Sequence, residues 1–292
     1  MSAGEKIEVN IQDRNGWSAL MRAASGGHKE VVELLVAVDK IEINAQDKYG
    51  WTALIGAASN GHKEVVELLV AINKIEINTQ DRNSWTALIW AANKGYKEVV
   101  KLLVAVDKIE ANAQDKDGWT ALMWAASNGH KEVVELLVAV KKIEINTQDK
   151  DGWTALMKAA SNGHKEVVEL LVAVNKIEIN TKDKYGWTAL ILAAWHGHKE
   201  VVELLVAVNK IEINTKDKDG WTALMKAASN GHKEVVELLV AVDKVEINAQ
   251  DKDGWTALMK AASNDHKNVV KLLRAQTGAG GALGKIAMTV TD

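Results

Sequence analysis

Residues 47–72 read DKYGWTALIGAASNGHKEVVELLVAI, and most of the fold can be argued from them. Residues 47–50 are typical of a turn, with a glycine free to take a positive φ. Thr52 is placed to cap a short helix, which Asn-Gly at 60–61 then ends. A second helix is predicted from near His62, because its valines and leucines recur at i, i+3, i+4 and i+7. The apolar surface of this helix is wider than one stripe, so it needs neighbours on more than one side.

The same pattern returns along the whole chain. Tryptophans recur every 34 residues: Trp17, Trp51, Trp85, Trp119, Trp153, Trp187, Trp221 and Trp255. A fixed period of this length is typical of a stacked solenoid, in which each unit buries its apolar faces against its neighbours. Residues 75–78, Ile-Glu-Ile-Asn, alternate in polarity and predict a short extended stretch. Each unit is therefore predicted to be a turn, a short helix, a longer helix and an extended loop.

Each unit resembles an ankyrin repeat, whose pattern runs D-x-x-G-x-T-P-L-H-x-A-A-x-x-G-H-x-x-V-V-x-L-L. Residues 115–126 here read DKDGWTALMWAA, followed by Gly129-His130, Val133-Val134 and Leu136-Leu137. The family's T-P-L-H is T-A-L-M or T-A-L-I, the unit is one residue longer than usual, and tryptophan occupies a variable position. Alanine is the best helix former, so the first helix should survive the loss of proline. The resemblance implies a mainly α, ankyrin-type solenoid of stacked helix–turn–helix units joined by extended hairpin-like loops.

We expect three segments along the chain. Residues 1–12 form the terminal half-loop of a repeat, residues 13–276 form an eight-unit solenoid, and residues 277–292 form a glycine-rich tail. Arg274 and Gln276 stand where inner units carry valine, as expected where no further repeat covers the face. At the other end, either the first residues pack over the first unit or the stack is partly open.

Composition excludes several classes of function. The formal net charge is −3 and the sequence contains no cysteine, which excludes disulfides, thiolate metal sites and a cysteine nucleophile. The slightly acidic balance argues against a nucleic-acid-binding surface. The first residues lack a secretory pattern and no apolar run is long enough to span a membrane, so we expect no membrane partner and a cytoplasmic location.

No catalytic or metal site is predicted, and no cofactor. Histidine fills one position of seven units, with Tyr96 in the third, and a position filled so often is architectural. His196 adds a pair with His198, but no third ligand has recognisable spacing. The aspartate-rich turn lacks the acidic residues that a calcium loop needs at its first and last positions, so its aspartates are interpreted as turn formers. The chain is therefore not expected to be an enzyme.

The differences between units point to binding. The fourth residue of the first helix reads Arg22, Gly56, Trp90, Trp124, Lys158, Leu192, Lys226 and Lys260. Large apolar groups where other units carry lysine would be costly to expose unless a partner covers them. In ankyrin repeats, this helix face and the preceding turn line a concave groove that binds proteins. The candidate partner-binding residues are Tyr49, Trp90, Lys94, Trp124, Lys158, Tyr185, Leu192, Trp195, His196 and Lys226.

Two functions remain open at this point. The first is a non-catalytic scaffold that binds a protein or peptide on its concave face, as a monomer that could associate end to end. The alternative is an engineered or recently duplicated array without a dedicated ligand, which the near-identity of several units favours. The eight recurring tryptophans suit either a structural role or a binding stripe.

Overall fold

A computed structural model describes residues 8–277, and the chain divides into two compact units, Met1–Lys150 and Asp151–Asp292. Each unit holds four helix pairs and is described by itself. Residues 278–292 of the predicted tail and residues 1–7 of the predicted half-loop lie outside the described residues, whereas Thr277 belongs to the last helix. The predicted extent of a single array, residues 13–276, stays a prediction.

Every pair consists of a short first helix and a second helix. The first helices are Ala19–Ser25 (α1), Ala53–Ser59 (α3), Ala87–Lys94 (α5), Ala121–Ser127 (α7), Ala155–Ser161 (α9), Ala189–His196 (α11), Ala223–Ser229 (α13) and Ala257–Ser263 (α15). The second helices are Lys29–Val36 (α2), Lys63–Val70 (α4), Lys97–Val104 (α6), Lys131–Val138 (α8), Lys165–Val172 (α10), Lys199–Val206 (α12), Lys233–Val240 (α14) and Lys267–Thr277 (α16).

The first helices begin and end as the sequence predicts. Thr52 accepts a hydrogen bond from the backbone N–H of Ile55 at 3.2 Å, which caps α3. Gly61 follows the helix in the left-handed region at φ 76°, where glycine carries no steric penalty. Alanine in place of proline at the first helical position does not prevent the helix, as expected from its high propensity.

Like helices of neighbouring repeats pack side by side within each unit. In the first unit α3 packs against α5 and α4 against α6; in the second, α11 packs against α13 and α12 against α14. An inner second helix buries Val65, Val66 and Leu69, so the wide apolar surface read from the sequence does lie between neighbours. The core therefore runs along each unit rather than sitting at a single centre.

The loops between repeats correct one prediction. Residues 75–78 form no strand; the N–H of Ile75 instead donates to Ile72 O at 3.0 Å in a turn. Asn44 of the preceding repeat bonds this loop twice, donating to Lys74 O at 2.8 Å and accepting from the N–H of Glu76 at 3.0 Å. Side-chain amides thus satisfy loop groups that a strand would pair with a neighbouring strand, and polarity alternation over four residues does not distinguish the two.

The turns that precede the first helices stack closely. The N–H of Arg82 donates to Tyr49 O at 2.8 Å. Gly50 has φ 82°, and a Cβ there would lie 2.9 Å from Asp81 Cα, so this position needs glycine for conformation and for space. Ser84 stands at the equivalent position of the next repeat and has φ 62°.

The described ends differ from the inner repeats. In the first repeat Val31 is 46% and Leu34 73% exposed. In the last repeat Arg274 and Gln276, which stand where inner repeats carry valine, are exposed.

Candidate functional site

The site is built on one aspartate per repeat, at the start of the turn. Asp47 Oδ1 accepts hydrogen bonds from the N–H groups of Tyr49 and Trp51, both at 2.8 Å. These bonds fix the turn and set the direction from which the first helix starts. The aspartates are turn formers, as predicted, and Asp47 is only 8% exposed.

The second oxygen of the turn aspartate meets the fourth residue of the first helix. In the first unit Trp90 Nε1 donates to Asp81 Oδ2 at 3.1 Å, and Trp124 Nε1 donates to Asp115 Oδ2 at 2.9 Å. Arg22 makes the corresponding ion pair with Asp13.

In the second unit, lysine at the fourth helix position pairs with the turn aspartate. Lys226 Nζ lies 2.8 Å from Asp217 Oδ2, and Lys260 Nζ lies 2.7 Å from Asp251 Oδ2. Tryptophan, arginine and lysine therefore interchange at the fourth position because each brings an N–H group to the equivalent oxygen of the turn aspartate. Sequence reasoning missed this pairing, although the donors recur nine residues after the aspartates.

In the first unit the fourth residue also stacks between indoles. Trp90 lies 5.1 Å from Trp51 and 4.5 Å from Trp85, measured between ring centroids. Trp124 lies 4.7 Å from Trp85 and 4.3 Å from Trp119. The five rings form one row, which we call the indole row (Trp51, Trp90, Trp85, Trp124, Trp119). Tilted rings at these distances attract one another.

In the second unit an ammonium occupies that place. Lys226 Nζ lies 4.2 Å from the ring centroid of Trp187 and 4.5 Å from that of Trp221. Lys260 Nζ lies 4.0 Å from Trp221 and 4.8 Å from Trp255. All four distances are in the range of a cation–π interaction. The recurring tryptophans are thus walls of a cage for the fourth residue, which is a structural role.

The structure buries three of the candidate partner-binding residues. Lys158 is 7% and Lys226 6% exposed, so neither offers its charge to solvent. Leu192 is 1% exposed and is not an apolar group offered to solvent. Trp90 and Trp124 are half-buried, and stacking in the indole row relieves much of the cost that seemed to require a partner.

Two repeats have no donor at the fourth position. Beside Leu192, Trp153 turns its Nε1 to Asp183 Oδ2 at 3.0 Å and supplies the missing bond. Beside Gly56, no side chain among the described residues donates to Asp47 Oδ2.

A cleft of about 700 Å³ opens on this face of the second unit. Trp153 and Trp187 form its aromatic walls, and Tyr185, 56% exposed, stands at its rim. Its remaining lining residues are charged: Asp151, Lys158, Asp183, Lys184, Lys218, Asp219 and Lys226. An aromatic cleft with an ionic rim can hold a side chain and fix its orientation.

The other predicted binding residues lie around these features. Tyr49 is 59% exposed, with the Arg82 guanidinium 5.8 Å from its ring centroid. Lys94 is exposed at the end of α5. In the second unit Trp195 is half-buried, 5.6 Å from Trp187 between ring centroids, and His196 is exposed at the end of α11.

The recurring histidines join repeats together. His62 Nε2 lies 2.9 Å from Ser25 O, so this nitrogen carries the proton that the carbonyl accepts. The same contact recurs at His130, His198, His232 and His266. The architectural interpretation of this position is confirmed.

His196 differs from the recurring histidines. Although the residue is exposed, partial desolvation of its ring, together with the nearby His198 and His232, holds the pKa of His196 below its usual value. In the part of the chain that the structure describes, no group of three or more histidine or acidic side chains is placed to hold a metal ion. Over the same residues, none of the helices is both long enough and apolar enough to cross a bilayer.

A second depression, of about 800 Å³, lies in the first unit on the loop side. Ala111 lines it, at a position where other repeats bury an isoleucine such as Ile77 or Ile145. The smaller side chain leaves part of that space open.

Comparison with known families agrees with this architecture. The sequence matches the family model described as ankyrin repeats (3 copies) over residues 2–81, 70–149, 139–217 and 207–280. The chain belongs to the ankyrin repeat family, whose members are generally protein-interaction modules. No curated protein matches the sequence.

Proposed function

We propose that the chain binds a protein or peptide segment on the face that carries the turns and the fourth helix positions, without catalysing a reaction. In ankyrin terms this is the concave face. The family's general role in protein interaction supports the proposal, and the absence of cysteine suits a cytoplasmic setting.

The observation that carries the proposal is the cleft in the second unit. Tyr185 offers an exposed ring beside the half-buried Trp153 and Trp187, and tyrosine and tryptophan are common anchors of interfaces. Lys184 and Asp151 form an ion pair at its rim that can orient a polar backbone or side chain. A cleft already formed before docking loses little ordering entropy when it binds.

In the first unit Trp90 and Trp124 remain proposed contacts through their exposed edges, with Tyr49 and Lys94 beside them. In the second unit Trp195 and His196 remain proposed contacts. The buried Lys158 and Lys226 help to line the cleft, and the buried Leu192 is not proposed as a contact.

The test uses peptides selected on the intact chain from a random display library. We expect Tyr185→Ala to weaken their affinity about tenfold or more, measured by calorimetry. Tyr49→Ala, an equally exposed tyrosine in the other unit, is the matched control for peptides that occupy the cleft. A third variant combines Trp90→Lys with Trp124→Lys, and its affinity for the peptides is measured in the same way. It should retain the fold because lysine already occupies the equivalent position of other repeats. Affinity unchanged in every variant would remove the proposed surface.

The alternative, an array without a dedicated ligand, also has an observation in its favour. Trp90 and Trp124 are held by Asp81 and Asp115, so their presence needs no partner. Failure of a diverse library to yield any saturable binder would favour this alternative.

A further inference from the structure

The position of Gly56 lacks the side chain that fills the equivalent place in other repeats. By the register of the repeats, the fourth residue lies between its own repeat's tryptophan and that of the preceding repeat, as Lys226 lies between Trp187 and Trp221. At Gly56 the corresponding tryptophans are Trp17 and Trp51, both half-buried.

The carboxylate of this repeat also lacks its usual partner. Asp47 is 8% exposed; its Oδ1 is taken up by the turn, and no described side chain donates to its Oδ2. The equivalent oxygens of Asp81 and Asp217 are met by Trp90 Nε1 and Lys226 Nζ. A carboxylate oxygen that no side-chain donor meets can pair with an incoming cation.

Arg22 and Trp90, the two neighbouring side chains that could reach Asp47, contact other aspartates. Arg22 pairs with Asp13, with its guanidinium 5.4 Å from the ring centroid of Trp17. Trp90 lies 5.1 Å from Trp51 and bonds to Asp81. Within the described residues, therefore, neither of them serves Asp47.

We propose that Trp17, Trp51 and Asp47 receive a lysine side chain of the bound partner. The occupant is argued from the chain itself, which places Lys226 and Lys260 in the same setting of two indoles and one carboxylate. The partner's ammonium would pair with Asp47 Oδ2 and lie against the two indoles, as the internal lysines do. This inference rests on the proposed function and names one chemical requirement of the partner.

The first experiment uses n-butylammonium chloride as a lysine side-chain probe on the full chain, labelled with fluorotryptophan and followed by fluorine NMR. Substituting Trp17 and Trp51 in turn by phenylalanine assigns their signals among the 11 tryptophans. We expect saturable shifts of these two signals at millimolar concentrations, and no such shifts with n-butanol or with matched sodium chloride.

Three variants make the result specific. Gly56→Lys fills the place internally, whereas Gly56→Ala is the matched control, because both add a Cβ 3.2 Å from Ser25 Cβ. Asp47→Asn keeps an oxygen for the turn and removes the charge. We expect Gly56→Lys and Asp47→Asn to weaken butylammonium binding about tenfold or more, and Gly56→Ala to retain it. No response in the wild-type chain, or an equal response in Gly56→Lys, would overturn the proposal.

The second experiment separates this proposal from the proposed function. In peptides selected on the intact chain, replacing one lysine by norleucine should weaken binding to the wild type about tenfold and leave binding to Gly56→Lys unchanged. Peptides that bind both forms equally and need no lysine would refute the lysine site while the binding function stands. If no peptide binds, the proposed function fails, and the NMR titration still decides whether the site accepts an alkylammonium ion.

Discussion

The fourth position of the first helix is filled differently in the two units. In the first unit Trp90 and Trp124 place an indole between two other indoles; in the second, Lys226 and Lys260 place an ammonium there. Both fillings direct an N–H group to the turn aspartate. The difference teaches that the aspartate acceptor is the element common to the repeats, whereas the group between the rings can be aromatic or cationic.

The largest effect is expected from Lys226→Met. Lys226 is the ion-pair partner of Asp217 Oδ2, an oxygen that accepts no hydrogen bond from the described residues, and both side chains are buried. Removing the lysine leaves a buried charge without a partner, so we expect a loss of about 3–5 kcal/mol in the free energy of unfolding, measured with urea.

Lys184→Met is the matched control, because the Lys184–Asp151 pair is exposed, with 47% and 60% of the two side chains accessible. Lys184→Met should leave the free energy of unfolding nearly unchanged, because water screens an exposed ion pair. Equal effects of the two substitutions would mean that burial does not distinguish these pairs.

Next in size is Trp124→Ala, compared with Trp124→Lys. Alanine removes the stacking on Trp85 and Trp119 and the bond to Asp115, for a loss of about 2–3 kcal/mol in a half-buried site. Lysine restores a donor and a cation between the rings, so the loss should stay below about 1 kcal/mol. The urea midpoints of the two variants measure these losses. An equal loss for both would show that lysine cannot replace tryptophan between the rings.

A smaller effect is expected in the turn that leads to the indole row. Ser84 has φ 62°, a conformation that costs a residue with a Cβ about 1 kcal/mol or more. Ser84→Gly should therefore raise the free energy of unfolding by about 1 kcal/mol, read from the thermal midpoint. Gly118→Ser, the reverse change at φ 83°, should lower it by at least as much. A destabilised Ser84→Gly would show that serine makes a compensating contact.

The smallest effect concerns pH in the second unit. Burial raises the pKa of Asp251, but hydrogen bonds from Lys260 and from the N–H groups of Trp255 and Asp253 outweigh it and hold this pKa below 3.8. Because the pKa of this carboxyl group is lower in the folded than in the unfolded protein, its ionised form stabilises the folded state at pH values above the unfolded-state pKa. This stabilisation is lost as the pH falls through the folded-state pKa. Below pH 3.8 the wild type should therefore lose stability more steeply than Asp251→Asn in urea titrations. Parallel curves would contradict the assignment.

Much of the fold was accessible from the sequence, because it depends on interactions within one repeat. The Thr52 cap, the left-handed Gly61 and the apolar face of Val65, Val66 and Leu69 all follow from local chemistry and helical spacing. The prediction of an extended stretch at residues 75–78 was wrong because Asn44, in the preceding repeat, supplies hydrogen bonds that the alternation of polarity cannot reveal.

The candidate site was less accessible because it depends on contacts between repeats. Lys226 is buried only because Trp187, Trp221 and Asp217 converge on it from two repeats. A lysine at this position of the sequence, taken alone, suggests a solvated charge. The spacing of nine residues between aspartate and donor was visible, but without a geometry it had no chemical meaning.

The indole row also has an optical consequence. Transitions of closely spaced, tilted indoles couple, so the first unit should give an exciton signal in circular dichroism that solitary rings do not produce. In the second unit Trp187 and Trp195 form one such pair, and ammonium groups next to the rings alter their emission. The natural chromophores thus label the two units differently, and the melting of each can be followed in a single unmodified sample.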